Sequence, residues 1–187
     1  DDEARNRFAA AWGVPELPAH IGYSITDVPH KVAEGKLKAY YVFGEDPIQT
    51  EPDLAAMRAA FEALELVVVQ DIFMTKTAEL ADVVLPATSW GEHEGVYTSA
   101  DRGFQHFNKA IAPKGDVKPD WEIISLISTA MGYPMAYQNT RQIWDEMRSL
   151  CPPFAGATYE KMAGLGYVQW PCPTEDHPGS PYLYTDL

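Results

Sequence analysis

The apolar positions of this chain change period several times, and each change marks an element. From Glu3 to Trp12 the aromatic pair Phe8 and Trp12 stands four apart, with Gly13 behind it, which predicts a short amphipathic helix. Val14 to Pro29 holds three prolines and no period, and predicts a loop. A second short helix is expected from Asp27 to Glu34, closed by Gly35. Leu37 to Phe43 then has the aromatic and β-branched character of a buried strand and runs into Gly44-Glu-Asp-Pro47. A helix beginning at Thr50 would carry Leu54, Met57, Phe61 and Leu64 on one stripe. Leu66 to Asp71 follows as a strand buried on both faces, so strand, helix and strand form the βαβ signature of a parallel sheet. A short helical segment at Thr75 to Leu80 leads to a third strand, Leu80 to Leu85, which Pro86 ends.

Beyond a Gly-rich stretch from Ser89 to Gly103 the helical period returns. Asp120 to Met131 carries Trp121, Ile124, Ile127 and Met131 on one face, and Thr140 to Leu150 carries Ile143, Met147 and Leu150, stopped by Pro152 and Pro153. The tail from Gln169 has four prolines in 19 residues and is expected to be poorly ordered or to depend on a partner. There is no internal repeat. The fold class this predicts is α/β, a Rossmann-like parallel sheet flanked by helices, with a helical C-terminal extension. Residues 1–35 would form a helical and loop lead-in, 36–135 the α/β core, and 136–187 the extension with its Pro-rich tail.

Charge narrows the function. Fourteen Lys and Arg face 27 Asp and Glu among 187 residues, a formal charge of −13, which argues against nucleic-acid phosphate as the partner. With 46% hydrophobic and 22% charged residues the chain can bury an ordinary core. No run approaches the roughly 18 apolar residues of a membrane span, so no direct membrane insertion is expected. The acidic start has no signal-peptide pattern, and a cytoplasmic location is the expectation. Cys151 and Cys172 form neither a C-x-x-C motif nor a disulfide framework and are expected as free thiols.

In open parallel sheets ligands bind beyond the carboxyl ends of the strands. Two loops fall there, Gly44 to Pro47 with Thr50, and Gln70 to Thr75. Gly44 would permit close backbone approach, and a helix starting near Thr50 would offer N–H donors to a phosphate. Asp71, at a strand end, suits ribose hydroxyls, or the N1–H and exocyclic amine of a guanine. An ordinary turn and a strand-end cap are the alternative readings of these two loops. Neither G-x-G-x-x-G nor G-x-x-x-x-G-K-[ST] is present, and no serine sits in G-x-S-x-G. Glu92, His93 and Glu94 raise a metal or acid–base reading, but an extended segment points them to different sides, so no metal set is assigned. His20, His30, His106 and His177 stand singly.

The run GEDP…LELVVVQDIFMTKTAELADVVLPATSWGEHEGVYTSADRGFQ closely resembles the molybdopterin oxidoreductase family, and within it the catalytic alpha subunits of formate dehydrogenases of the formate-hydrogenlyase type. AWGVPELPAHIGY near the start, DWEIIS…MGYP in the middle, and GATYEKM and GYVQWPCP near the end extend the resemblance over nearly the whole chain. It implies one segment of a larger enzyme that oxidises formate at molybdenum or tungsten held by two molybdopterin guanine dinucleotides. The core at 36–135 would grip one dinucleotide, chiefly its guanosine diphosphate half, through Gly44, Glu45, Asp46, Thr50, Gln70, Asp71, Ala87 and Asp120. Ala87 stands where close relatives carry Ser, which leaves a backbone contact there. Relatives also carry Asn at the position of Ser99 and Arg at that of Gly103. The resemblance puts Glu92, His93 and Glu94 in a loop beneath the pterin.

This sequence holds no four-cysteine iron–sulfur motif, no cysteine or selenocysteine in a metal-ligand setting, and no active-site arginine. The resemblance assigns these, with a 4Fe–4S cluster, to earlier parts of the family's chain, so no catalytic residue is expected here. The implied partners are the remaining domains of the same subunit and an electron-transfer iron–sulfur subunit or a hydrogenase. Asp1 precedes a helix at once and Leu187 brings no stop signal, which predicts a piece of a longer chain. The alternative is a stand-alone molybdopterin-cofactor carrier or a structural subunit.

Overall fold

The computed structural model describes residues 1–184. Helix α1 (Asp2–Trp12) starts where the Asp1 carboxylate accepts the Glu3 N–H, and after a Pro-rich lead-in α2 (Val28–Ala33) follows a single 3-10 turn at Ile25–Asp27. Strand β1 (Ala39–Phe43) leads through α3 (Pro47–Thr50) and α4 (Leu54–Ala63) to β2 (Leu66–Asp71). A 3-10 turn at Ala78–Leu80 then precedes β3 (Val83–Pro86), and the three strands form a parallel sheet in the order β1-β2-β3. Tyr41 lies opposite Val68, and Phe43 and Leu85 flank Gln70.

Alternation sorts the side chains of this sheet into two unlike faces. Val42, Val67 and Val69 pack with Val28, Ile48, Met57, Ala60, Phe61 and Ala78 into the first core. On the other face Tyr41, Leu66 and Val83 are each about two-fifths exposed, at 42%, 41% and 42%. The expectation that β2 is buried on both faces is therefore corrected: the face under α2 and α4 is closed, whereas on the other face of β2 only Gln70 is buried.

The helix expected to begin at Thr50 is two pieces. Thr50 ends α3, Glu51 is extended because the following Pro52 disfavours the helical conformation, and α4 restarts where the Asp53 carboxylate accepts the Ala56 N–H at 2.9 Å. The segment expected as a helix from Thr75 shrinks to the turn at Ala78–Leu80, and the third strand begins at Val83.

Past β3 the chain forms a hairpin of β4 (Gly95–Thr98) and β5 (Gly103–Phe107), in a Gly-rich stretch whose pattern predicts no strand. Helices α5 (Asp120–Ala130), α6 (Thr140–Leu150) and α7 (Tyr159–Leu165) follow, and β6 (Val168–Gln169) pairs antiparallel with β5. Phe104, Trp144, Ala157, Met162, Val168 and Cys172 form a second core. Its residues come from both sides of position 135. Helix α6 buries Trp144, whose indole N–H donates to Ala157 O at 2.6 Å, while Met147 on the expected face stays 45% exposed. Helix α5 likewise buries Ile123 and Ser125 and leaves Ile124 and Met131 outside.

The tail is ordered by this second core, against expectation. Cys172 is fully buried and exchanges backbone hydrogen bonds with Pro153 O and Gly156 N at 2.7 Å each. Arg102 donates to the carbonyls of Trp170, Ser180 and Pro181, and Lys161 to that of Glu175. Positions 185–187 of the tail lie outside the described residues. Cys151 and Cys172 are free thiols.

Candidate functional site

Because β1 and β2 run parallel, their carboxyl ends open at the same edge, and there a cleft of about 390 Å³ forms. Gly44, Glu45, Asp46, Gln70, Asp71, Ala87 and Asp120 line it, together with Phe43, Ile72, Phe73 and Thr75. Asp120 arrives through the backbone: Ala87 N–H donates to Asp71 O at 3.1 Å, and Ala87 bridges in parallel to Lys118, two residues before α5 begins. Seven of the eight residues singled out in the sequence thus line one cleft.

Thr50 does not. Its N–H and its hydroxyl both turn back to Asp46 O, at 3.1 and 3.2 Å, so the helix-end donors expected there are spent within α3.

The first loop is built by Gly44 and Asp46. Gly44 has φ +63°, with open space where a Cβ would stand, so backbone conformation and not crowding selects glycine; its N–H donates to Gln70 O at 2.9 Å. Asp46 Oδ1 accepts the N–H of Thr77 at 2.9 Å and its hydroxyl at 2.6 Å, and Oδ2 accepts from Gln49. Partial burial would raise the Asp46 carboxyl, but the bonds from Thr77 and Gln49 outweigh it and hold the carboxyl below its usual range. Thr77 is itself fully buried and also accepts the Ile48 N–H at 3.2 Å. The Asp46 side chain therefore ties two loops together.

The second loop leaves more unspent. Asp71 Oδ1 accepts the Phe73 N–H at 2.9 Å, and Asp71 Oδ2 has no partner among the described residues. Gln70 is 1% exposed; it donates from Nε2 to Asp120 Oδ1 at 2.6 Å and accepts the Tyr41 hydroxyl at Oε1. Burial, and after it the Asp120 charge, raises the Tyr41 hydroxyl above its ordinary value and keeps it a donor. Tyr41 and Thr77 were not singled out in the sequence. Strand alternation beside Gln70 points to Tyr41, whereas Thr77 meets Asp46 across 31 residues with no local signal.

Four carboxylates and no lysine or arginine line the cleft. Phe43, Ile72 and Phe73 add apolar surface, exposed by 49%, 48% and 70%. Such a lining accepts hydrogen bonds from a donor-bearing ligand and offers surface for a flat ring, and it does not attract a bare anion. Gly44 adds room for close approach. This chemistry suits a ligand that carries N–H or O–H donors and offers no cation to a phosphate.

The Ser89–Gly95 segment is separate. Glu92 accepts the Ser89 N–H at 2.9 Å and its hydroxyl at 3.0 Å, and these bonds lower its carboxyl pKa. His93 Nδ1 lies 3.0 Å from the Thr88 hydroxyl. The two side chains are held by different partners. No helix among the described residues is long and apolar enough to cross a membrane.

A model of the molybdopterin oxidoreductase family matches residues 3–130. Formate dehydrogenase H of Escherichia coli is 61% identical over the whole of this chain, which spans 26% of that protein. The F420-dependent formate dehydrogenase 2 subunit alpha of Methanococcus maripaludis is 38% identical over 98% of the chain and 27% of its own length. Among solved structures, acetylene hydratase from Pelobacter acetylenicus superposes with a TM-score of 0.63 over 90% of this chain and 23% of its own, at 20% identity, which supports the fold alone. The chain spans about a quarter of the length of these curated relatives.

Proposed function

The chain belongs to the molybdopterin oxidoreductase family, and from that premise we propose that it is the part of a formate dehydrogenase catalytic subunit that holds the guanosine end of a molybdopterin guanine dinucleotide. The family makes a molybdopterin the cofactor class. The observation that carries the finer reading is the acceptor-rich cleft, in which Asp71 and Asp120 each keep a carboxylate oxygen beside exposed apolar surface.

In this reading Asp71 and Asp120 accept hydrogen bonds from the ribose and the base, Gly44 admits the backbone close to the nucleotide, and Phe43, Ile72 and Phe73 shield it from water. Asp46 and Thr77 keep the first loop in shape. When bound, the cofactor supplies a molybdenum or tungsten centre able to take two electrons from formate. This chain's residues bind and orient; the metal ligand, a 4Fe–4S cluster and the diphosphate's cations belong to the remainder of the subunit. An iron–sulfur subunit or a hydrogenase would be the electron-accepting partner.

The test uses the intact native polypeptide carrying this sequence, purified free of cofactor. GDP at 100 times its dissociation constant stabilises the folded state by about 2.7 kcal/mol, read as a rise in melting temperature, and Asp71→Ala removes the rise. An equal rise in the variant refutes the assignment. A native polypeptide no heavier than this sequence would overturn the larger-subunit reading.

A further inference from the structure

The motifs GATYEKM and GYVQWPCP take no part in the cleft, and the fold brings them together in the second core. Lys161, in α7, places its Nζ 3.4 Å from the Sγ of Cys172. The rest of the ammonium goes to carbonyls of the tail, that of Glu175 at 2.8 Å and that of His177. Its contacts are thus two carbonyls and a sulfur, and no carboxylate among the described residues. Sulfur is a weak acceptor, so hydrogen bonding alone gives little reason to aim an amine at it.

The two atoms are held for reaction from both sides. Cys172 is fully buried, and its backbone is tied to Pro153 O and Gly156 N at 2.7 Å each. On the other side the Lys161 N–H donates to the Thr158 hydroxyl that caps α7, at 3.0 Å. A separation of about 3 to 3.5 Å between atoms fixed in this way is a near-attack geometry. Lys161 is half-buried, so the amine end of the pair borders solvent and a water-sized oxidant can enter there. The cation beside Cys151, by contrast, is the Arg7 guanidinium, which stays protonated and is no nucleophile.

We infer that Lys161 and Cys172 form a reversible, oxidation-driven cross-link, a sulfenamide, with a hydroperoxide as the oxidant. The peroxide takes two electrons from the sulfur. Its O–O bond breaks, one oxygen stays on Cys172 as a sulfenic acid and, for hydrogen peroxide, the other leaves as water. The Lys161 amine, having given its extra proton to solvent, then attacks the sulfur in the condensation known for backbone nitrogen. The S–N bond forms, the S–O bond breaks, and hydroxide leaves with an amine proton as water. The pair has lost two hydrogens in all. Two equivalents of a thiol reverse the link, returning the Cys172 thiol and the Lys161 amine and leaving as a disulfide. The link staples the tail to α7 and withholds the sulfur from the irreversible sulfinic and sulfonic steps.

The experiment exposes the full-length native polypeptide to hydrogen peroxide and digests it with trypsin without reductant. Trypsin requires a free lysine amine. The expected wild-type result is loss of cleavage after Lys161 in a spanning peptide about 2 Da lighter, both reversed by dithiothreitol. Cys151→Ser behaves alike, which separates the link from a disulfide between the two cysteines. Lys161→Arg keeps the cation and removes the nucleophile; it shows no such mass loss and instead accumulates a Cys172 sulfenic acid that dimedone traps. A mass loss that survives in Lys161→Arg, or that vanishes in Cys151→Ser, overturns the inference. So does a wild-type Cys172 that only gains oxygen or stays unreacted.

Discussion

The parallel sheet with its cleft and the aromatic core around Phe104 use the same kinds of residue to opposite ends. In the second core polar groups are consumed internally. Asp101 accepts from Ser99 and Tyr167, Gln169 donates to it at 3.3 Å, and Arg102 and Lys161 spend their donors on backbone carbonyls of the tail. Phe104 touches Trp144 and Phe154 edge-on, each at 4.8 Å between ring centres. At the cleft, Asp71 and Asp120 are each anchored through one oxygen and keep the other. Apolar surface is left open as well, at Phe43, Ile72 and Phe73. The difference separates a region whose polar groups are committed to holding the chain from one whose groups are held in order to be used.

Glycines give the sharpest way to break this comparison. A Cβ on Gly156 would lie 1.9 Å from Thr174 O and 2.9 Å from Cys172 O, both backbone atoms that cannot swing away. Gly156→Ala is expected to cost more than about 4 kcal/mol and to unseat the tail, read as a collapse of the thermal transition or loss of soluble protein. A transition within a few degrees of the wild type would mean that the tail is not integral to the second core.

Gly44→Ala is the counterpart at the cleft. No atom lies within 4 Å of the added Cβ, so only the positive φ is penalised, at about 1 to 2 kcal/mol. The expected result is a modest fall in melting temperature together with a reduced GDP-induced rise. A full GDP response in this variant would show that the nucleotide does not approach the first loop.

The same contrast decides what could be read from the sequence. LVVVQD is contiguous, and its strand is found at Leu66–Asp71 as expected. The cleft followed from topology, since the loops after β1 and β2 must open at one edge whatever their sequence. The second sheet was hidden. GVYT and GFQHF are four and five residues long, and the partner of β5 stands at Val168–Gln169, more than sixty residues on. Helix α5 was placed but its buried face was not, because Ile123, Ile124, Leu126 and Ile127 supply apolar residues in more than one phase. Thr50 lies outside the cleft lining because the helix begins at Pro47, which makes Thr50 the last residue of α3 and turns its donors back to Asp46 O.

The smallest effect tests whether Asp46 belongs with the committed groups although it lines the cleft. Its carboxyl is held below the ordinary value of 3.8, so the folded state favours the ionised form. A lowered folded-state pKa contributes stability that is fully present above the unfolded value and is lost as pH falls through the folded one. Stability of the wild type should therefore drop below about pH 3.8 in part through Asp46. Asp46→Asn keeps the shape, cannot ionise and forfeits that contribution, so its melting temperature should sit slightly below the wild type at neutral pH and converge with it in acid. The GDP response should persist, because the Asp46 side chain is occupied by Thr77 and Gln49. Parallel pH profiles that never converge would contradict the ionised, loop-tying role. Loss of the GDP response with an unchanged profile would move Asp46 to the side of Asp71 and Asp120, among the groups kept for the ligand.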